Sequence, residues 1–399
     1  MGQRKGSKSV ALRRKPPASQ PGRASQPGPA SSRREFLKKV TAAAAGVTVA
    51  TKFPYIKTTF AQAPTTWKVQ SGFATRDELN VSFVDWAKKV DEMSGGRLKI
   101  DVLPSGAVVG TFDIIDGVNR GVLDGGYAVP AYWYSRNPAF SLFGTGPSFG
   151  MDATDILSWF YYGGGFDMYQ DLMTQMRMNV VGFLLGPMPT QPLGWFRTPI
   201  TNPEQLKRTK YRTVGLSADL FSLLGASVVT LPGGEIVPAL ERGVIDGAEF
   251  NNPTSDKALG FPDVRKVYML QSYHQPVETL EFIVNKSKWD PLSAELKAIV
   301  RGAILAESAD FQFKMIDRNS RDLLEFEQRR GVRVFVTPKS VLEAQLKAWD
   351  TLIQRNSQAN PTFARIVASQ RAWAQRVVSW KLRVFVDNKP AFDHFFKKR

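Results

Sequence analysis

From residue 66 onward, alternation and helical spacing divide the chain into a repeating order of strands and helices. "TWKVQSGF" (66–73) alternates apolar and polar side chains as a half-buried strand does, and "RLKIDVLP" (97–104) does so again. Between them Phe83, Trp86, Ala87, Val90 and Met93 recur at three- and four-residue intervals. That is the stripe of an amphipathic helix over 77–93, which "SGG" (94–96) ends. "TFDIIDGVNR" (111–120) predicts a short helix and "GVLDGGYAV" (121–129) a third strand. The order βαβαβ belongs to an α/β unit with a largely parallel sheet.

The order then recurs. "NVVGFLLG" (179–186), "LGWFR" (193–197) and "KYRTV" (210–214) predict strands, and "NPEQLKR" (202–208) a helical turn. Helices follow from Ser217, a suitable N-cap, to Leu224 before Gly225, and over "GGEIVPALE" (233–241). "RGVLDGG" at 120–126 is echoed by "RGVIDGA" at 242–248; in both, a helix ends at a glycine that accepts the left-handed position and a strand follows. "YHQPVETLEFIVN" (273–285) reads as a strand crossing between lobes. Helices over 293–329, 339–357 and 361–387 surround the strand "VRVFV" (332–336). Their aromatics, Trp349, Trp373, Trp380, Phe385 and Phe392, suit a core or a homodimer interface. The expected organisation is a leader over 1–63, a first lobe over 64–188 completed by parts of 276–399, a second-lobe core over 189–275, and long helices over 291–399.

Charge is concentrated at the front. The 399 residues carry a formal net charge of +17, two histidines (His274 and His394) and no cysteine. Residues 1–63 hold +12 of that charge, with Glu35 their one acid, so the remainder gives no reason to expect a nucleic-acid partner. Residues 1–32, rich in Pro, Ser, Gly, Lys and Arg, are too polar to fold. "SRREFLKK" (32–39), "VTAAAAGVTVA" (40–50) and "FAQA" (60–63) then form the basic, apolar and cleavage regions of a secretory signal. Arg33 and Arg34, followed by Phe36, Leu37 and Lys38, resemble the twin-arginine export motif, with cleavage near Ala63. Lys52 and Lys57 interrupt the apolar run short of the ~20 residues a membrane span needs. A soluble periplasmic protein is expected.

The chemistry on offer is sparse. Two histidines without H-E-x-x-H spacing make no zinc protease, and no P-loop or GxGxxG is present. "YYGGGFD" (161–167) reads as a packing bend. Polar groups do fall at strand ends of the second unit and after the crossing: Gln191, Arg212, Glu249 and Gln275. Ligands of open α/β sheets sit beyond the carboxyl ends of strands. The arginine fork there suits a carboxylate, and Glu249 suits either a pair with Arg212 or a cation shared with the ligand. Gln191 and backbone carbonyls fit the oxygen shell that hard cations take. Each residue alone is equally an ordinary surface charge, a solvated acid or a loop amide.

Beyond the leader the chain resembles, over essentially its whole length, the DctP-type extracytoplasmic solute-binding proteins of tripartite ATP-independent periplasmic (TRAP) transporters. The resemblance is nearest to the branch that binds α-keto acids and related carboxylates. It is carried by "DEMSGGRLKIDVLPSGAVVGTFDIIDGVNRGVLDGGYAVPAYW", "TQPLGWF", "NPEQLKRTKYRTVGLSADLFSLLGASVVTLPGGEIVPALERGVIDGAEF" and "NPTFARIVASQRAW". It implies an α/β periplasmic binding protein fold of two lobes joined by crossing strands and a long helix, closing on a ligand handed to membrane permease subunits. Arg212 falls on the carboxylate hook. Gln191, Glu249 and the Phe250 carbonyl fall on ligands of a bridging cation, sodium or calcium, and Tyr132 and Trp133 on pocket walls. Three departures stand out. Phe250 replaces the branch's usual tryptophan, and Arg208 replaces a glycine before the hook strand, an exchange expected to matter little on the surface. Gln275 replaces a further acidic ligand, and one negative charge fewer counts against a divalent ion. Binding without turnover is the expected function. A secreted carboxylate-processing enzyme using Glu249 with Arg212 would need a second titratable group in reach. A sensor for a membrane receptor would share every feature above.

Overall fold

The first sheet assembles on the alternating segments. In the computed structural model, which describes residues 63–397, β1 (Thr65–Ser71) lies between β2 (Leu98–Leu103) and β3 (Gly125–Ala128), parallel to both. The twin-arginine leader lies outside the described residues apart from Ala63. β4 (Val180–Met188) is buried at every position and closes the far edge. The second sheet holds β5 (Gly194–Phe196), β6 (Lys210–Arg212), β7 (Ser227–Val229), β8 (Gly247–Ala248) and β9 (Val267–Leu270). β10 (Glu278–Asn285), also wholly buried, returns to the first sheet, and β11 (Arg333–Val336) to the second. The orders are β2-β1-β3-β10-β4 and β11-β9-β5-β8-β6-β7. Each sheet carries one antiparallel strand, β10 in the first and β5 in the second, and each is joined by a short crossing segment to the preceding strand of the other sheet. The fold is the expected α/β architecture of two lobes.

Helices cover both sheets: α1 (Glu78–Met93), α2 (Ala153–Tyr162), α3 (Gly165–Gln175), α4 (Leu216–Leu223), α5 (Gly233–Glu241) and α6 (Pro253–Leu259). α7 (Ala294–Arg329) packs on β4 and α1 at one end and on α6 and β11 at the other, so it ties the lobes together. α8 (Lys339–Ala359) packs on α4, and α9 (Pro361–Val384) on α2 and α3. The last helix expected over 361–387 ends at Val384. Asp387 caps a separate α10 (Asn388–Phe396), none of whose residues is buried. No helix among the described residues is long and apolar enough to cross a membrane.

The sequence echo is a repeated piece of architecture. Arg120 and Arg242 cap the ends of their helices, and Gly121 and Gly243 follow at φ +73° and +70°. Asp124 then brackets Lys68 at the centre of β1: its N–H donates to the Lys68 carbonyl and its carboxylate accepts the Lys68 N–H at 2.8 Å. Asp246 does the same to Lys210 of β6, accepting its N–H at 3.0 Å. Two residues on, the strands carry equivalent clamps. The Gln70 amide donates to the Val109 carbonyl (2.8 Å) and accepts from the N–H groups of Val108 and Val109. Arg212 Nε donates to the Leu231 carbonyl at 2.9 Å. Each clamp fixes the loop that leads from its sheet to the next helix.

Two local expectations change. Ser217 does not cap α4; Gly215 occupies that position at φ +61° and ψ −147°. Ser217 lies inside the first turn, buried, and donates to the His274 carbonyl at 2.8 Å. A serine reads as a cap only when nothing outside its helix claims the hydroxyl. Arg208 sits at φ +63°, a left-handed conformation that a glycine takes without strain, so its replacement of glycine costs more than a surface exchange does.

Candidate functional site

Arg212 ends β6, whose neighbours β7 and β8 enclose it on both sides, so the side chain leaves the sheet at its carboxyl edge, 1 % exposed. Three bonds fix the guanidinium. Nε holds Leu231, and Nη1 donates to the Glu249 carbonyl at 3.0 Å and to Glu249 Oε1 at 2.9 Å. The Phe250 ring lies 5.8 Å from its central carbon. Nη2 has no partner among the described residues. The fork is therefore held on one side and open on the other, as a carboxylate hook requires.

The first lobe closes against this edge. Gly215 comes so near Ala131 and Ser141 that an added Cβ would lie 3.0 Å and 2.9 Å from them. The Leu216 N–H donates to Ser141 Oγ, and Tyr134 donates to Asp219 at 2.7 Å. Between the lobes remains a cavity whose volume, measured for the centre of a water molecule, is about 20 Å³. Arg212, Gln191, Gln275, Tyr132, Phe250 and Glu278 are among its walls. Tyr132 packs edge-on to Phe112, and burial pushes its hydroxyl pKa above the ordinary value. Glu249 is held against the guanidinium and is not on the cavity wall. Trp133 does not reach it either: its indole N–H donates to Glu281 at 2.6 Å in the first-lobe core. Of the two aromatic neighbours expected as walls, the structure brings only Tyr132 to the cavity.

The glutamines come from the two crossing segments, which pair there. The Gln191 N–H donates to the Gln275 carbonyl at 3.1 Å, and Thr190 Oγ1 to the Pro276 carbonyl at the same distance. Among the described residues several buried oxygens have no hydrogen-bond partner, and Gln191 Oε1, Glu249 Oε2, Gln275 Oε1 and Glu278 Oε1 are the side-chain oxygens of the candidate residues among them. Buried acceptors without donors are costly, and a cation satisfies several at once. The acids point the same way. Burial pushes Glu249 up to about 7 against the pull of Arg212, and Glu278 up to about 8 against its bonds from Thr145 and Gln275. Both shifts come chiefly from removal from water, which a cation beside the carboxylates would offset. Among the described residues no group of three or more His, Asp or Glu is placed to hold a metal. A cation here has to draw on amide and backbone oxygens beside one or two acids, the shell of sodium or calcium and not of zinc. The residues fit.

Glu278 escaped the strand-end reading. It lies in "QPVETLEFIVN", where an acid inside an otherwise apolar strand was the available signal. Glu281, the second such acid, stays in the core, bonded by Trp133 and Tyr169.

A family model described as DctP, bacterial extracellular solute-binding protein, family 7, matches residues 74–359. The chain is 30 % identical to a monocarboxylate 2-oxoacid-binding periplasmic protein of Nostoc sp. (strain PCC 7120) over 294 residues, 74 % of this chain and 80 % of that one. A crystal structure of a TRAP periplasmic solute-binding protein from Colwellia psychrerythraea, with bound calcium and pyruvate, matches with a TM-score of 0.77 at 29 % identity. It covers 83 % of this chain and all of its own. Another from Pseudoalteromonas atlantica T6c, with bound sodium and pyruvate, matches at 0.76 and 28 %, over 84 % of this chain and all of its own.

Proposed function

The chain belongs to the DctP family of bacterial extracellular solute-binding proteins, and from that premise we propose that it captures a small 2-oxo or 2-hydroxy monocarboxylate between its lobes. The observation that carries this reading is the buried guanidinium of Arg212 with Nη2 uncommitted, facing a cavity of about 20 Å³ beside unpaired oxygens. Arg212 pairs with the carboxylate, Tyr132 and Phe250 shape the apolar wall, and closure removes water, which strengthens each polar contact. Gln191, Glu249 and Gln275, with the Phe250 carbonyl, hold a cation whose charge supplements that of Arg212 toward the anion. The ligand contacts both lobes and thereby favours the closed form, which is handed to TRAP permease subunits. The family serves transport outside the cytoplasm, and the route assigned to this chain is twin-arginine export of the leader at Arg33 and Arg34. α10, with Phe392, Phe395 and Phe396 exposed beside Trp380 and Phe385, is assigned to a homodimer contact.

Isothermal titration with pyruvate, lactate and longer 2-oxo acids tests the reading. Arg212→Met is expected to weaken pyruvate at least about 30-fold, the order of loss when one member of a buried charge pair is truncated. Equal affinity in the two proteins removes the hook assignment. Protein stripped with chelator and titrated in sodium-free buffer is expected to lose affinity that added calcium or sodium restores; undiminished binding removes the cation.

A further inference from the structure

Gln275 stands where the resemblance has an acid, yet the charge is not missing from the site. Glu278, the first residue of β10, reaches the same cavity from three residues further along the crossing segment. Its side chain is 1 % exposed. Oε2 accepts from Gln275 Nε2 at 2.5 Å and from Thr145 Oγ1 at 3.0 Å, while Oε1 has no partner. Gly144 leaves the room for it: a Cβ there would lie 2.4 Å from Oε1. The bond to Gln275 also sets that amide. With Nε2 held by a carboxylate, Gln275 Oε1 is turned to the opposite side, where it is the unpaired oxygen.

The charges at the closed site then count differently. With both acids ionised, as ligands of a cation are, one guanidinium faces the carboxylates Glu249 and Glu278, and a bound monocarboxylate adds a third negative charge. Two negative charges are left over, which one divalent ion cancels and a sodium ion does not. Uncompensated charge is expensive away from water, so this balance selects the ion. We propose that Glu278 supplies the negative charge that Gln275 lacks, positions the Gln275 amide, and sets the site's preference to a divalent cation.

This rests on the cation-bridged reading above. The test compares wild type, Glu278→Gln and the double variant Glu278→Gln with Gln275→Glu, which returns the acid to position 275. Calcium chloride and sodium chloride are titrated separately by calorimetry at saturating pyruvate. Circular dichroism melts report folding. Glu278→Gln is expected to lose calcium affinity at least about tenfold with sodium affinity little changed, and the double variant to recover most of the loss. Should Glu278→Gln fold poorly, Gly144→Ala, which displaces the carboxylate, is expected to lower calcium affinity in the same direction. Calcium affinity within about threefold of wild type in folded Glu278→Gln overturns the proposal, as does a wild-type preference for sodium. Wild-type pyruvate binding that ignores chelation and sodium removal is a different failure, since it removes the cation reading itself.

Discussion

Arg212 and Arg208 lie four residues apart and show two ways in which a single side chain is read. Arg212 was legible because a permanent cation at the end of an apolar run needs a partner, and the strand delivers it to Glu249 and the cavity. Arg208 looked like an exposed charge of no consequence, since side-chain chemistry says nothing about the φ of +63° beneath it. Arg208→Gly is expected to stabilise the protein by about 1 kcal/mol in urea unfolding, the strain of a left-handed non-glycine less the greater freedom of glycine in the unfolded chain. An unchanged or lower midpoint would contradict that. Glu278 and Trp133 mark the limit of residue-level reading. Which acid of "VETLE" faces the cavity, and which face of "PAYW" does, depends on the pairing of β10 with β3 and β4, and no local pattern encodes it.

Elements were more legible than their ends. The strands over 65–71, 98–103, 210–212 and 278–285 and the long helices follow from period and length, because burying one face constrains many residues at once. Caps were not, because they depend on single partners. Ser217 is claimed by His274, and α4 starts instead at Gly215, in a conformation open essentially to glycine alone. That glycine is also a point of close approach between the lobes. Gly215→Ala is expected to weaken pyruvate at least about tenfold, because the added Cβ meets Ala131 and Ser141 only when the lobes are closed. Small-angle scattering with saturating pyruvate should show a larger radius of gyration than wild type; an identical closed form would refute the steric account.

At the scale of the molecule, the echo over 120–126 and 242–248 was the visible trace of two lobes of related construction, while the order of strands in each sheet was hidden in long-range pairing. The buried titratable groups also act on the whole. Burial pushes Asp77 up to about 6 and Asp256 and Glu281 to about 7, so the folded state holds protons that the unfolded carboxylates release near pH 4. Their contribution is full below that pH and is lost as pH rises through 6 to 7. His274 works in the opposite sense: burial pushes it down to about 3, so folding becomes costlier below the ordinary histidine range. On these groups the ligand-free protein is expected to show its highest urea midpoint near ~pH 4, where three protonated carboxylates outweigh one uncharged histidine, falling as pH rises to 7, and Glu281→Gln to flatten that fall. A midpoint rising steadily to pH 8 would refute this. The paired clamps have a further consequence. Gln70 and Arg212 hold equivalent loops in the two lobes, but one is neutral and the other charged. The cleft is thus polarised, and an arriving anion has one wall on which to land. Encounter with the second lobe should slow as ionic strength rises, while the swing of the first lobe over the captured ligand, which brings no cation of its own to the anion, responds little to salt. Stopped-flow traces would then separate into a salt-sensitive landing and a salt-blind closure.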